Sequence, residues 1–498
     1  MLSVMFGRAT SSFYLPWILL SNDSGFIIWW FKSLLPDSSR EFYFFKDQLM
    51  KKEKNLTSGP IATKIIRLSF PIIGTSFIQM AYNLTDVMWL GRTGSATITA
   101  ATTAGFFMWL MMSLFYTTRI GTETLVAQSV GRKDISTARQ VAENALTIGL
   151  AASFIINLLV IVFADNLLLF FKLEPDVMEK AVHYLRIVSV GMCFAVVNPV
   201  MSSVYLGFGN SKTPFYINAM GLIVNMVLDP ILIFGFWFVP GLGIKGAAIA
   251  TMISNILVFL IFLFSLKSPE SVLPRLKLFV LLNAGIVKRI LRIGIPVAIG
   301  HMSFCIFSMC IARIVSAYGT IPLGVQNVGA SIEALSWNTA LGFSTALAAF
   351  TGQNYGAKKY DRIRQGYYFI LFLSISLGLI ATIAFFFFGK QIFSLFSNEY
   401  EMIATGALYL KIIAVSQIFM CIEITSSGGF YGLGKTKQPS FTSFIFTGLR
   451  IPAALFVIHF TTYTYDGIWW CISISSLFKG VIVAGLYFLT LKTLDGKV

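Results

Sequence analysis

The stretch Gly429-Phe-Tyr-Gly-Leu-Gly-Lys-Thr436 matches the phosphate-binding loop Gly-x-x-x-x-Gly-Lys-Ser/Thr position for position. Read alone, it places the chain among soluble nucleotide-binding proteins. Such a loop cradles phosphate only where a β-strand leads into it and a helix leaves it. Here the residues before it, from about 404, are an apolar run long enough to cross a bilayer as a helix. The stretch also has an earlier counterpart, Tyr205-Leu-Gly-Phe-Gly-Asn-Ser-Lys-Thr213. Gly207-Phe-Gly209 with Lys212 and Pro214 corresponds to Gly432-Leu-Gly434 with Lys437 and Pro439, at an offset of 432 − 207 = 225 residues. The earlier copy lacks the Gly-Lys-Thr. Both are read as tight turns between helices, each followed by a proline that opens the next helix. No nucleotide is expected as a partner.

Two further pairs share the offset. Arg67-Leu-Ser-Phe-Pro71 resembles Arg292-Ile-Gly-Ile-Pro296, and Gln128-Ser-Val-Gly131 resembles Gln353-Asn-Tyr-Gly356; 296 − 71 and 353 − 128 are both 225. The chain is therefore an internal repeat. Of its 498 residues 56% are hydrophobic and 12% charged, about half the charge of a soluble protein, and mean hydropathy is +0.76. Twelve apolar segments of spanning length fall at about 68–91, 97–124, 138–164, 181–207, 213–239, 244–266, 288–318, 322–352, 363–388, 404–431, 438–460 and 466–492. Six crossings return the chain to its starting side, so the halves share one orientation and are related by an axis along the membrane normal. The expected fold class is all-α: a polytopic membrane protein with twelve transmembrane helices in two six-helix lobes related by a parallel repeat. The N-lobe is expected over 50–266 and the C-lobe over 288–498, with a cytoplasmic linker at 267–287.

The net charge of +16 is read as loop bias, not as a nucleic-acid surface. Lys64 and Arg67, Arg132 and Lys133, Lys212, Lys288 and Arg289, Lys358 and Lys359, and Lys435 and Lys437 fall on alternate sides of successive segments. The opposite connections hold few basic residues. This places both termini in the cytoplasm; the plasma (inner) membrane is the expected location. The five cysteines show no disulfide or metal spacing and are expected to be small core residues. Residues 1–49 contain no run of spanning length. They are read as an over-extended start or a disordered appendage ahead of Met50, with an interfacial anchor as the alternative.

Ionisable residues within apolar segments are functional candidates by default. Asp86 follows Pro71 by 15 residues, and Asp229 follows Pro214 by 15. At 1.5 Å per residue both lie roughly 22 Å from the cytoplasmic helix start, at one level. Asn225 shares a helical face with Asp229, and Thr251 falls near the same level. Two carboxylates, an amide and a hydroxyl offer oxygen ligands to Na⁺. Alternatively, two close carboxylates share a proton. For Asn225 and Thr251 alone, hydrogen bonding between helices is an equal reading. The second half does not repeat the site: Asp86 maps to Ile311, Asn225 to Arg450 and Asp229 to Ala454. Glu333 and Arg450 fall near the midplane and either pair or face a cavity. Arg119 and Glu123, four apart, are expected to pair. The run Met108, Trp109, Met111, Met112, Phe115 and Tyr116 faces core, lipid or an adaptable pocket. His183, His301 and His459 have no metal-ligand spacing.

These residues resemble the multidrug and toxic compound extrusion (MATE) transporters. The resemblance covers about 60–490. It rests on Pro71 through Tyr82-Asn-Leu-Thr-Asp86, Gln128-x-x-Gly131, Asn225-x-x-x-Asp229-Pro230 and Gly352-Gln-Asn-Tyr-Gly-Ala357. It implies a V-shaped pair of six-helix lobes and cation-coupled export of small cationic amphiphiles by a monomer surrounded by membrane lipid. No cofactor is implied beyond the coupling ion, H⁺ or Na⁺. In the DinF-like and archaeal branch the coupling site matches Asp86, Asn225, Asp229 and Thr251, with Tyr184 nearby, and Glu333 matches an acidic position. NorM-like members carry a glutamate where this chain has Phe304, which favours the DinF-like branch. A lipid-linked-sugar flippase of the same superfamily is the alternative. An intramembrane enzyme is the remote one, since no catalytic constellation is present.

Overall fold

The computed structural model describes residues 55–495, except 170, 172, 238, 239, 268–270 and 275. The readings of residues 1–49 lie outside the described residues. Every regular element among those described is helical: α1 (Ile61–Gly91), α2 (Ser95–Gly131), α3 (Ile135–Val162), α4 (Ala164–Leu169), α5 (Pro175–Gly207), α6 (Lys212–Phe234) and α7 (Ile244–Lys267) in the first half. The second half has α8 (Ala284–Ser316), α9 (Thr320–Gly356), α10 (Tyr360–Ser394), α11 (Tyr400–Leu433), α12 (Lys437–Gly448), α13 (Arg450–Phe460) and α14 (Tyr465–Asp495).

Each of the twelve expected segments is found, usually extended by several residues at its ends. Eleven stretches are long and apolar enough to cross a bilayer, with α12 and α13 acting as one, Lys437–Phe460. The twelfth, α9, has 37 residues, ample length, but carries Gln326, Asn327, Glu333 and Asn338. Three local features depart from expectation. The short α4 follows α3 directly. α6 ends at Phe234, earlier than expected, because Gly235 turns with φ +86°. The returning chain then pairs with the helix end, Leu242 N–H donating to Leu232 O at 2.9 Å. The eleventh segment breaks at Leu449, where Pro452 has no N–H for the Gly448 carbonyl.

Polar residues finish the helices where their ends leave unpaired backbone. Asp134 accepts from Thr137 N–H at 2.9 Å at the start of α3. That bond and the Thr137 hydroxyl hold its carboxyl below the ordinary range. Asn283 accepts from Gly285 and Ile286 N–H at 3.0 and 3.2 Å at the start of α8. The linker between the halves is tied to α3: Lys277 N–H donates to Glu143 at 3.1 Å and Asn283 N–H to Asn144 at 2.8 Å.

The phosphate-loop look-alike is a helix C-cap. Gly434 sits at φ +72°. Gly434 N–H donates to Tyr431 O at 2.9 Å and Lys435 N–H to Phe430 O at 3.0 Å, so these donors close the helix and do not face an anion. The earlier copy does the same: Gly209 has φ +76°, and Asn210 N–H donates to Tyr205 O at 2.9 Å.

The halves meet through a crossed arrangement. α8 packs against α2, and α9 packs against α1 and α2. Gln128 Nε2 donates to Gly432 O at 2.9 Å; Gln353 Nε2 donates to Gly207 O at 2.8 Å. A methyl group at Gly131 would overlap the Gln353 carbonyl, and one at Gly356 the Gln128 carbonyl. All four residues stand at the end of the bundle that carries Arg132, Lys133, Lys358 and Lys359. The chain ahead of α1 seals this end further: Leu56 N–H donates to Gln353 Oε1 at 3.0 Å, and Arg362 donates to Leu56 and Gly59 carbonyls at 3.3 and 3.1 Å.

Candidate functional site

α1 and α6 deliver one carboxylate each to the far end of the first half. Asp86 lies five residues before the end of α1 at Gly91, and Asp229 five before the end of α6 at Phe234. Asp229 is wholly buried and Asn225, one turn earlier on the same face, is 2% exposed. One orientation of the Asn225 amide satisfies both its ends. In it the amide nitrogen donates to Asp229 Oδ2 at 3.0 Å, and the amide oxygen accepts from the Thr251 N–H of α7 at 3.1 Å. The Tyr82 and Thr251 hydroxyls stand 3.5 Å apart. Tyr82 precedes Asp86 by one turn and lies within coulombic reach of both aspartates, as does Tyr184 of α5. Asp86 and Asp229 are within coulombic reach of each other. Each keeps one buried oxygen, Oδ1, without a hydrogen-bond partner.

An unpartnered carboxylate is costly here. Insertion scales charge about 2.5–3.5 kcal/mol for one aspartate at mid-helix in a bilayer. Two within coulombic reach of each other, each with a buried oxygen that accepts no hydrogen bond, concentrate that cost at one level of the first half. The structure thus brings Asp86, Asn225, Asp229, Thr251 and Tyr184 together. Tyr82 belongs to the same group and was legible as the residue one turn before Asp86.

This cluster borders a cavity of about 930 Å³. Asp86, Tyr82, Tyr184, Asn225 and Thr251 line it; Asp229 stands behind. The α2 run divides by helical face. Met108, Trp109, Met112 and Tyr116 line the cavity, whereas Met111 and Phe115 are buried at 4% and 6% exposure. The second half contributes Trp337 and Asn338 of α9. Arg119 also lines the cavity and lies 5.4 Å from the Tyr116 ring. It does not pair with Glu123: both Glu123 oxygens are buried without a hydrogen bond. The phenol of Tyr116 turns its other contact to His301, ring centroids 4.0 Å apart.

Glu333 and Arg450 do not form an ion pair. Glu333 Oε1 accepts from Tyr409 OH at 2.5 Å and Arg450 donates to Ser475 and Ser476 hydroxyls at 2.6 and 2.8 Å. Neither lines the large cavity. The sequence reading missed a buried ion pair beside them, Lys479 Nζ to Glu423 Oε2 at 3.1 Å. Its signal was present: a lysine and a glutamate, each inside an apolar run. No group of three or more His, Cys, Asp or Glu side chains is placed to hold a metal among the described residues, and the five cysteines are unbridged.

The MatE family profile matches residues 71–231 and again 296–456, two copies offset by 225 residues. Among curated relatives, "Probable multidrug resistance protein NorM" of Thermotoga maritima is 25% identical over 466 residues, 90% of this chain and 96% of the relative. "Probable multidrug resistance protein YpnP" of Bacillus subtilis is 27% identical over 418 residues, 81% and 90% of the two chains. Among solved structures, a MOP superfamily transporter from Pyrococcus furiosus, described with a binding pocket of reversed polarity, superposes with a TM-score of 0.82. It is 23% identical and spans 88% of this chain and 98% of its own. An outward-facing multidrug resistance MATE transporter gives 0.81 at 23% identity, with the same coverage. At such identities the structures establish the fold. The profile, matching 322 of 498 residues (161 + 161) in two register-locked copies, establishes more: the chain belongs to the MATE family of multi-pass membrane transporters and is not an enzyme.

Proposed function

We propose that this transporter is an antiporter that exports cationic amphiphilic compounds, drugs or toxic metabolites, in exchange for H⁺ or Na⁺. Asp86, Asn225, Asp229 and Thr251 are its cation-coupling residues, with Tyr184 alongside. The observation that carries the reading is the pair of carboxylates at matched depth, Asp229 wholly buried and Asp86 partly so, each with one buried oxygen that accepts no hydrogen bond, beside a large cavity. Asp86 faces that cavity while Asp229 does not. An ion held between them and a cationic compound seated against Asp86 therefore compete for one charge. Competition of this kind is the differential binding that exchange requires. The lining suits an amphiphile: Met and Trp side chains give adaptable apolar contact, and Asn83, Asn218, Asn255 and Asn338 give uncharged polar contact.

The lining carries one acid, Asp86, and one base, Arg119, which does not match the strongly cationic chamber that a flippase of anionic headgroups would use. Phe304 in place of a helix glutamate supports the DinF-like branch. Loop charge supports cytoplasmic termini, and we place the protein in the plasma (inner) membrane as a monomer. The test is displacement. Ethidium added to the purified protein should release bound Na⁺, or protons into weakly buffered solution, in proportion to site occupancy. Ethidium binding with no release of either ion would contradict the exchange.

A further inference from the structure

The 225-residue repeat carries into the last helices of each half. The ring pair Tyr205–Phe262 recurs as Phe430–Tyr487, and both members are displaced by 225. In that register the second half holds a copy of the coupling cluster with altered residues. Arg450 stands for Asn225, Ser476 for Thr251 and Tyr409 for Tyr184; Glu423 stands for Asn198 and Lys479 for Ser254. The contact is copied with the positions. The Asn225 amide oxygen accepts from Thr251 N–H at 3.1 Å, and Arg450 Nη2 donates to Ser476 Oγ at 2.8 Å.

The charges differ. Both aspartates are gone, replaced by Ile311 and Ala454. Two acids come from elsewhere, Glu333 on α9 and Glu423 on α11, and two bases accompany them. Lys479 Nζ lies 3.1 Å from Glu423 Oε2, with both residues under 9% exposed. Arg450, at 7% exposure, lies within coulombic reach of Glu333 and Glu423. The cluster sums to zero. Glu333 is hydrogen-bonded at both oxygens: Oε1 accepts from Tyr409 OH at 2.5 Å and Oε2 from Gln417 Nε2 at 3.5 Å. The aspartates of the first half each keep a buried oxygen without a hydrogen bond; both Glu333 oxygens accept one, and Glu423 Oε2 is paired with Lys479.

We propose that the second half carries a cation site permanently filled by its own side chains, Lys479 and Arg450 taking the place of a mobile ion. A transported cation is then bound by the first half alone, and the repeat yields a single coupling site. This inference rests on the proposed coupling site only for that last statement. The filled copy stands on its own contacts. The helix break beside Arg450 goes with Pro452; the equivalent position in the first half is Val227, within unbroken α6.

The test removes the tethered charge in a background where the first half is silent. The full chain carrying Asp86→Asn and Asp229→Asn is purified, and equilibrium binding of radiolabelled Na⁺ is measured on it and on three derivatives. Lys479→Met, which leaves Glu423 uncompensated, is expected to gain saturable Na⁺ binding that the parent lacks. Lys479→Met with Glu423→Gln is expected to lose that gain. Glu423→Gln alone is expected to bind no Na⁺. Saturable Na⁺ binding already present in the parent would overturn the inference. A monodisperse, folded Lys479→Met protein that binds no more Na⁺ than its parent would overturn it as well. If Lys479→Met does not survive purification, Lys479→Gln is measured in its place with the same expectation. None of these comparisons depends on whether Asp86 and Asp229 couple transport, because all share the silenced background.

Discussion

Gln128 binds the carbonyl of Gly432 across the lobe interface at 2.9 Å. Its repeat partner makes the mirrored bond, Gln353 to Gly207 at 2.8 Å. Both donors and both acceptors are displaced by 225 residues, so one contact is made twice about the pseudo-axis. Thr124 Oγ1 to Tyr431 O at 2.8 Å and Thr436 Oγ1 to Ile293 O at 2.6 Å add to the seal. Glycines at 131 and 356 let the helices close to carbonyl contact. A transporter that alternates between sides has to part these lobes at one end, and this is the end closed here.

Removing either glutamine side chain should therefore loosen the same closed state by the same amount. One buried hydrogen bond contributes about 1 kcal/mol, roughly a five-fold change in a two-state ratio. Spin labels on Arg132→Cys and Lys358→Cys, in a background with native cysteines replaced, report the separation. Gln128→Ala and Gln353→Ala should each enlarge the population with a wider distance, to similar extents. Gly131→Ala and Gly356→Ala should enlarge it further. A wider population from one glutamine variant and none from the other would refute the mirrored latch.

Lys435→Ala should leave transport unchanged, whereas Gly434→Ala should lower thermal stability. Gly434 lies at φ +72°, where an L side chain costs about 1–2 kcal/mol. Melting temperature and dye efflux of the two variants separate the effects. Saturable ATP binding that Lys435→Ala abolishes would restore the phosphate-loop reading.

Most of the architecture was legible because bilayer thickness sets segment length, and counting 1.5 Å per residue from Pro71 and Pro214 placed Asp86 and Asp229 at one depth. The repeat landmarks were visible as residues, but Gln128 and Gly432 are 304 positions apart, and nothing local in either segment announces the bond. Arg450 and Glu333 were legible as buried charges that either pair or face a cavity, and the structure shows neither. Serine, tyrosine and glutamine side chains satisfy them separately, and hydroxyls leave no trace in a hydropathy pattern. Glu423 and Lys479 cancel each other inside apolar runs, so the cluster was passed over. Pro452 was visible, yet whether a proline bends or breaks a membrane helix depends on neighbouring side chains that re-satisfy the freed carbonyl.

Shortening the apolar lining should weaken cargo without changing the driving ion. Met112→Ala and Trp337→Ala each remove cavity surface. Partial loss of such a contact, about 1.4 kcal/mol, corresponds to roughly a ten-fold rise in apparent KM for a bulky cation. Initial efflux rates against ethidium concentration, under a fixed gradient, give the values. An unchanged KM in both variants would remove this cavity from the cargo path.

The central claim is that Asp86 and Asp229 couple the ion gradient to export. Asparagine keeps the size and hydrogen bonding of each side chain but fixes its neutral state. Wild type, Asp86→Asn, Asp229→Asn and the double variant are reconstituted in proteoliposomes, and ethidium efflux is followed under an imposed Na⁺ gradient and, separately, an imposed pH gradient. The account predicts that wild type responds to at least one gradient and that all three variants, though inserted and folded, respond to neither. Gradient-driven efflux at the wild-type rate in the double variant would contradict it.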